Sequence, residues 1–355
     1  MIENVDLIEL TQNWGEPAGP RNHVVVTSRV RHARNIERIA FPPRASKDDL
    51  RRVCETVDRL IRNNSALTDF KRVEIDACTG TQRGFLKESH IISAELEQGG
   101  EYRVLHLNQE RSSAIMVNEE DHLRMYCMRS GFQLGPVLEQ INAIDSVLSR
   151  SLNYAFSEKY GYLTTCPSNV GTGMRASAML HLPGLVMTQQ IEEIIKLLPQ
   201  SGLTVRGYYG EHSEFLGDFY QVSNEVTLGK TEEQIIESLE GAVGQLMAQE
   251  EAAQAALFEK KRPYVEDVIW RAYGQLTNAR IMSSAEAFRL LSPIRLGIGR
   301  GFFGALTHHD LNRLFVAVQP AHLQMAQTGA AGVEERDIAR ARFLQGVFGR
   351  LQSGN

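Results

Sequence analysis

Val24-Val25-Val26-Thr27-Ser28-Arg29-Val30-Arg31 is a β-branched run that closes on two arginines. Branched side chains fit a pleated, half-buried surface, so Val24 to Ser28 reads as a strand that delivers Arg29 and Arg31. Being two apart, the arginines share a face if the strand persists. Working outward, Val73-Glu74-Ile75 alternates like a strand. Tyr102 to Leu107 and Ala114 to Val117 read as a strand pair ending at the Asn118 loop. Leu203 to Arg206 and Phe219 to Val222 read as two more strands. Helical spacing marks 47–62, Gly135 to Tyr154, and Leu182 to Leu198 after Pro183. Several strand connections are short, which favours antiparallel neighbours. Residues 20–230 therefore read as an α+β unit built on an antiparallel sheet. Gly171-Thr172-Gly173 lacks the third-glycine spacing of a dinucleotide fingerprint, so no Rossmann unit is expected.

From Thr231 the texture changes. Thr231 and Gln234 fit a capping box, and Ile235, Ile236, Leu239, Val243 and Leu246 follow with helical period. Helical spacing continues through 262–290, with Ser284 as a cap, and breaks at Gly297-Ile298-Gly299-Arg300-Gly301. Thr307 to Val318 and Glu334 to Val347 read as further helices. The chain thus divides into a sheet domain over 15–250 and a mainly helical C-terminal domain over 251–355. The apolar stripe Leu311, Leu314, Phe315 and Val318 needs a partner, either its own domain or a second subunit.

Charge is nearly balanced, at a formal net of -5, which gives no support to a nucleic-acid or membrane-surface protein. Thirty of the 38 basic residues are arginine, and arginine's planar fork matches phosphate and carboxylate oxygens. The four cysteines, Cys54, Cys78, Cys127 and Cys166, show no zinc-ligand rhythm. The start has no signal-peptide pattern and no run is long enough to span a bilayer, so a reducing, cytoplasmic setting is expected.

Four short strings carry the chemistry: Thr27-Ser28-Arg29-Val30-Arg31, Asn118-Glu119-Glu120-Asp121-His122-Leu123-Arg124, Thr165-Cys166-Pro167-Ser168-Asn169-Val170-Gly171-Thr172-Gly173-Met174-Arg175, and Arg206-Gly207-Tyr208-Tyr209-Gly210-Glu211-His212-Ser213-Glu214. Alone, each has a bland reading as surface ion pairs or a solvated acidic turn. Together, Arg29, Arg31, Arg124, Arg175 and Arg206 suit a polyphosphate clamp, because fixed donors offset the charge spread over a migrating phosphoryl group. Glu120 and Glu211 suit the opposite partner. Two carboxylates gripping a guanidinium can orient it for in-line attack, and either can take the departing proton. Glu119 and Asp121 can organise magnesium through waters or cap a helix. Cys166, on a loop among arginines, suits an electrostatic contact with the guanidinium, with covalent catalysis as the rival role. His90 and His122 are candidates for the nucleotide's neighbourhood. The chain has neither a Walker A motif nor the His-Arg-Asp and Asp-Phe-Gly set, so phosphate handling must rest on arginine.

These strings, in this order, resemble the phosphagen (guanidino) kinase family over residues 20–230, most of all its bacterial protein arginine kinase branch. The resemblance implies ATP-dependent phosphorylation of arginine side chains, with ATP and Mg2+ as cofactors. It implies nucleotide contacts at Thr27, Arg29, Arg31, His90, Arg124, Arg175 and Arg206, and catalytic roles for Glu120, Glu211 and Cys166. Pro320-Ala321-His322-Leu323-Gln324 and Glu335-Arg336-Asp337 resemble that branch's C-terminal domain, which implies phosphoarginine binding at Arg336 and Asp337. A homodimer, protein substrates marked for quality control or degradation, an activator protein and a AAA+ protease are further expectations of the same likeness. His212 departs toward the metabolite branch, whose members phosphorylate free guanidines. Those carry a long helical domain ahead of the first arginine motif, and only 28 residues precede Arg29 here. A phosphoarginine-binding adaptor with weak catalysis is the third reading.

Overall fold

A computed structural model describes residues 19–209, 215–304, 306–326 and 332–352. In chain order the elements are β1 (Val25–Arg34), α1 (Lys47–Asn63), β2 (Lys71–Glu74), α2 (Gly80–Glu88), α3 (Ala94–Glu97), β3 (Val104–Leu107), β4 (Ser113–Val117), β5 (Leu123–Ser130), α4 (Leu134–Ser149), β6 (Phe156–Ser157), β7 (Gly161–Tyr162), β8 (Met174–His181), α5 (Pro183–Met187), α6 (Ile191–Leu197), β9 (Leu203–Arg206) and β10 (Phe219–Asn224). The helical remainder is α7 (Glu232–Lys260), α8 (Arg262–Asn278), α9 (Ser284–Ile298), α10 (His308–Ala317), α11 (Pro320–Ala326) and α12 (Val333–Gln352).

Eight strands form one sheet in the order β2-β3-β4-β5-β1-β8-β10-β9, and every neighbouring pair is antiparallel. The expected α+β antiparallel architecture is what the chain adopts. Three details differ. The strand read as ending at Ser28 runs on to Arg34, so Arg29 and Arg31 sit mid-strand near the centre of the sheet. Strands β5 and β8 alternate only briefly, over Leu123-Arg124-Met125 and Met174-Arg175-Ala176-Ser177-Ala178, and then run apolar because both of their faces are largely buried, so periodicity marks them weakly. The helix read over 182–198 splits into α5 and α6, with Gln189 in the left-handed region at φ 61°.

The sheet has two unlike faces. Val30 of β1, Met125 and Cys127 of β5, and Ala176 and Ala178 of β8 point to a core shared with α1, α4 and α7. Ser46 and Thr231 start α1 and α7 with capping boxes closed by Asp49 and Gln234, which satisfy N–H groups that a helix start leaves open. Behind the sheet Arg34, 1% exposed, donates from Nε and Nη2 to Asp145 at 3.0 and 2.6 Å and from Nη1 to the Thr172 carbonyl at 2.9 Å. Burial opposes ionisation of Asp145, but His32 and Arg34 outweigh it and hold the carboxyl down to about 2. Gly173 is required at this crossing. Its φ is +62°, and a Cβ there would lie 2.7 Å from the Ala33 carbonyl oxygen.

The helical part packs on the other face and edge. Val26, Met179, Tyr208 and Phe219 share a core with α8, α9, α10 and α12. Ala321 and Met325 of α11 join the core of α2 and β2–β4. The expected boundary between 250 and 251 falls inside α7, and its start at 15 lies outside the described residues. The stripe Leu311, Leu314, Phe315 and Val318 is buried within the chain's own core, so it needs no second subunit. The expected cap at Ser284 is one residue late: Ser283 accepts from Glu286 N–H.

Candidate active site

Strand register assembles the arginines. Arg31 of β1 faces Arg175 of β8, Arg29 faces Ser177, and Ala33 faces Arg124 of β5. Arg206 of β9 faces Gln221 of β10, which faces Met179 of β8. Side chains at these positions leave the sheet on one side. A cavity of about 430 Å³ opens there, lined by Arg29, Arg31, Arg124, Arg175 and Arg206 together with His90, Glu120 and Cys166. Thr27 lines an adjoining hollow with Arg29 and His90. Arg29 rests its guanidinium 4.2 Å from the Tyr126 ring centroid.

Crowding these cations costs free energy. Burial pushes Arg29 down to about 10. Arg31 is pushed well below the usual arginine range by burial and then by Arg29, Arg124, Arg175 and Arg206. Their Nε atoms are buried without hydrogen-bond partners among the described residues. An unmade buried donor is costly, and an anion with several oxygens relieves both the repulsion and the missing bonds. The donor set therefore fits a nucleotide's phosphates.

The acidic string divides its labour. Glu119 is buried, receives both contacts from Arg124 Nη1 at 2.7 and 2.9 Å, and accepts from the Ser93 hydroxyl. Burial opposes charge on both partners, yet their attraction wins: Arg124 is raised and Glu119 lowered. Asp121 accepts from Asn35 Nδ2 at 2.6 Å and from Thr165 N at 2.7 Å. The Thr165 hydroxyl donates to the Glu120 carbonyl at 2.8 Å. Those partners occupy Glu119 and Asp121 as braces for Arg124 and for the Cys166 loop. Glu120 alone of the three lines the cavity. Its carboxyl is raised by half-burial first and by Asp121, Glu119 and Glu95, against Arg124, which suits a group that must accept a proton. Cys166 Sγ lies 3.0 Å from Ser168 Oγ.

The two histidines part company. His90 lines the cavity with its ring 4.8 Å from Tyr208 and 6.0 Å from Tyr209, and burial, then Arg29, pushes it to about 3. His122 does not reach the cavity. It accepts from Ile36 N at 3.0 Å and its Nε2–H donates to the Ala40 carbonyl at 3.0 Å, so it pins the exit of β1. The side chain is buried, and burial pushes it to about 4. Because the folded pKa lies below the unfolded value near 6.5, the unfolded chain binds the extra proton, and stability falls as pH drops from about 6.5 toward 4. His122→Gln is expected to flatten the loss of melting temperature between neutral and mildly acid pH. An unchanged slope in differential scanning calorimetry would contradict the buried neutral imidazole.

Glu211 and His212 lie outside the described residues. Lys87, Glu95 and Gln221 also line the cavity and lie outside the four strings, and Tyr209 lines it from inside one of them. Lys87 sits on α2 and Glu95 on α3, short helices whose capping Thr79 and Ser93 were their available signals. Arg336 and Asp337 lie on α12, away from the cavity lining, and Asp337 Oδ1 accepts from Arg340 at 2.5 Å.

Residues 52–253 match the family model for the ATP:guanido phosphotransferase C-terminal catalytic domain, and the chain belongs to that family. In structure it resembles lombricine kinase, with a TM-score of 0.58 and 26% identity over 71% of this chain and 77% of that one. Residues 262–355 match the model of the protein-arginine kinase McsB C-terminal domain. A protein-arginine kinase of Bacillus licheniformis is 40% identical over 97% of this chain and 95% of its own length. Another, of Halalkalibacterium halodurans, is 42% identical over 95% of each. Within the family the chain stands among the protein-arginine kinases.

Proposed function

We propose that this chain transfers the terminal phosphoryl group of ATP to arginine side chains of proteins. The observation that carries the reading is the single cleft that five arginines line together with Glu120. In the transfer, a guanidinium nitrogen attacks the γ-phosphorus, the bond to the β–γ bridging oxygen breaks, and ADP leaves with that electron pair. The nitrogen's proton passes to Glu120 or Glu211. Arg29, Arg31, Arg124, Arg175 and Arg206 hold phosphate oxygens and stabilise the charge that develops in flight. Thr27 and His90 flank the nucleotide, His90 as a neutral ring. Cys166 stands at the guanidinium end as an electrostatic contact.

Magnesium fits as the nucleotide's companion. Among the described residues no three His, Cys, Asp or Glu side chains gather into a cage. Mg2+ commonly keeps several waters and takes phosphate oxygens with one or two carboxylates, and Glu95 stands on the cavity wall. Incubation with labelled ATP and an unfolded model protein should yield acid-labile label that mass spectrometry locates on arginine. Label on serine, threonine or tyrosine instead would contradict the assignment.

Full-length similarity to protein-arginine kinases and the matched C-terminal domain support a protein substrate over a free metabolite. Marking proteins for quality control, a homodimer, an activator and a AAA+ protease partner are parts of the proposal that rest on family likeness. No helix among the described residues is long and apolar enough to cross a membrane, and the proposed setting is the cytoplasm.

We also propose that Arg336 and Asp337 bind phosphoarginine apart from the ATP cleft. Arg336 supplies a fork for phosphate, and Asp337, now engaged by Arg340, would turn to the ligand's guanidinium. In the full chain, Arg336→Ala/Asp337→Ala should weaken calorimetric binding of phosphoarginine at least about tenfold, the scale of losing a charge-assisted pair. Unchanged binding would remove the second site. The whole chain is the proper subject, because a cut at 250/251 would divide α7.

A further inference from the structure

Gln319, at the corner between α10 and α11, is completely buried. Its Nε2 donates to the Phe315 carbonyl at 3.1 Å and to the Glu88 carbonyl at 3.4 Å. Those two carbonyls fix which end of the amide is oxygen, since a flip would set three acceptors together. The oxygen so fixed accepts from the hydroxyl of Tyr209. Tyr209 lines the transfer cavity three residues after Arg206 and stacks on His90. It immediately precedes residues 210–214, which include Glu211.

A second tie holds the same corner. The Glu88 carboxylate accepts from Ala321 N at 2.8 Å, His322 N at 3.0 Å and His322 Nδ1 at 2.8 Å. The His322 ring stacks on Phe85 at 4.1 Å. Glu88 is two residues before His90, so the helical part grips the cavity wall on both sides of the His90–Tyr209 contact. Satisfied buried polar networks of this kind rigidify what they join.

We infer that Gln319 is a positioning residue for phosphoryl transfer, by which the helical C-terminal part fixes Tyr209 on the cavity wall beside His90. The inference rests on the transfer reaction proposed above. The Tyr209–Gln319 bond spans two parts of the fold that separate sequence motifs would treat as independent, and it makes the catalytic cleft incomplete without α10 and α11.

The test is a double-mutant cycle on the full chain with Tyr209→Phe and Gln319→Leu, measuring turnover on a protein substrate, ATP affinity by calorimetry, and melting temperature. Tyr209→Phe should lower kcat about tenfold, since small misplacements cost large factors in an oriented reaction, with ATP affinity unchanged within about twofold. Its melting temperature should fall by only a few degrees, the cost of leaving the buried Gln319 oxygen without its donor, and the loss of kcat should persist well below that transition, which a merely structural role would not produce. The double variant should be no slower than the slower single, as expected when both remove one interaction. Full turnover in Tyr209→Phe, or losses that multiply in the double variant, would overturn the role. If Gln319→Leu does not fold, Tyr209→Phe decides alone. A chain that transfers nothing in unaltered form would sink the proposed reaction as well, whereas a transferring chain indifferent to Tyr209→Phe would remove only the positioning role.

Discussion

Glu120→Gln should cut phosphoryl transfer by about 10³-fold, within the range for removing a general base that also orients the nucleophile, while leaving ATP affinity almost untouched. Glu120 is the member of the acidic string that lines the cavity. Its neighbours are spent on bracing: Glu119 on Arg124 and Asp121 on Thr165 and Asn35. Glutamine keeps the shape and an acceptor but neither attracts the cation nor takes its proton. Turnover assays beside calorimetric ATP titration separate the two effects. Near-normal turnover would remove Glu120 from the proposed guanidinium site, and a matching loss of ATP affinity would move it to the nucleotide's side.

Arg124→Ala should damage both stability and catalysis, by separable routes. Losing one oxyanion-type donor costs about 10²–10³ in turnover. It also strands Glu119, whose side chain is 0% exposed, and breaking a buried pair costs about 3–5 kcal/mol. Adding Glu119→Gln should recover much of the stability, because the stranded charge is gone, and none of the turnover. Arg124→Lys should keep the charge beside Glu119 but lose the second guanidinium nitrogen available to a phosphate, so stability should hold better than turnover. Recovery of turnover in the double variant would mean that Arg124 acts only as a structural partner of Glu119.

What the sequence reveals, and what it hides, follows from where each signal resides. The arginines of β1 are legible because a β-branched run leads into them and their spacing of two sets a face. Arg124 and Arg175 are legible as motif members but not as strand residues. β5 and β8 are largely covered on both sides, so their alternation is brief, and Arg175 sits opposite Arg31 only through a register that no local pattern encodes. Three consecutive acids look alike in sequence. Which one turns toward the cavity depends on Ser93, Arg124, Asn35 and Thr165, contributed by three other segments and by Arg124 five residues on. His122 reads as a nucleotide neighbour by proximity to those acids, yet its two ring nitrogens are taken by backbone groups of residues 36 and 40. Gln319 and Tyr209 are the far end of the scale, 110 residues apart and joined by one hydrogen bond.

The most direct measurement compares catalytic efficiency, with ATP and magnesium, on arginines of an unfolded protein and on free arginine at equal guanidinium concentration. The expected result is transfer to the protein at an efficiency at least about 10²-fold higher, equivalent to roughly 2.7 kcal/mol of differential transition-state binding. Equal or higher efficiency on free arginine or another small guanidine would contradict the assignment of protein arginine as the substrate.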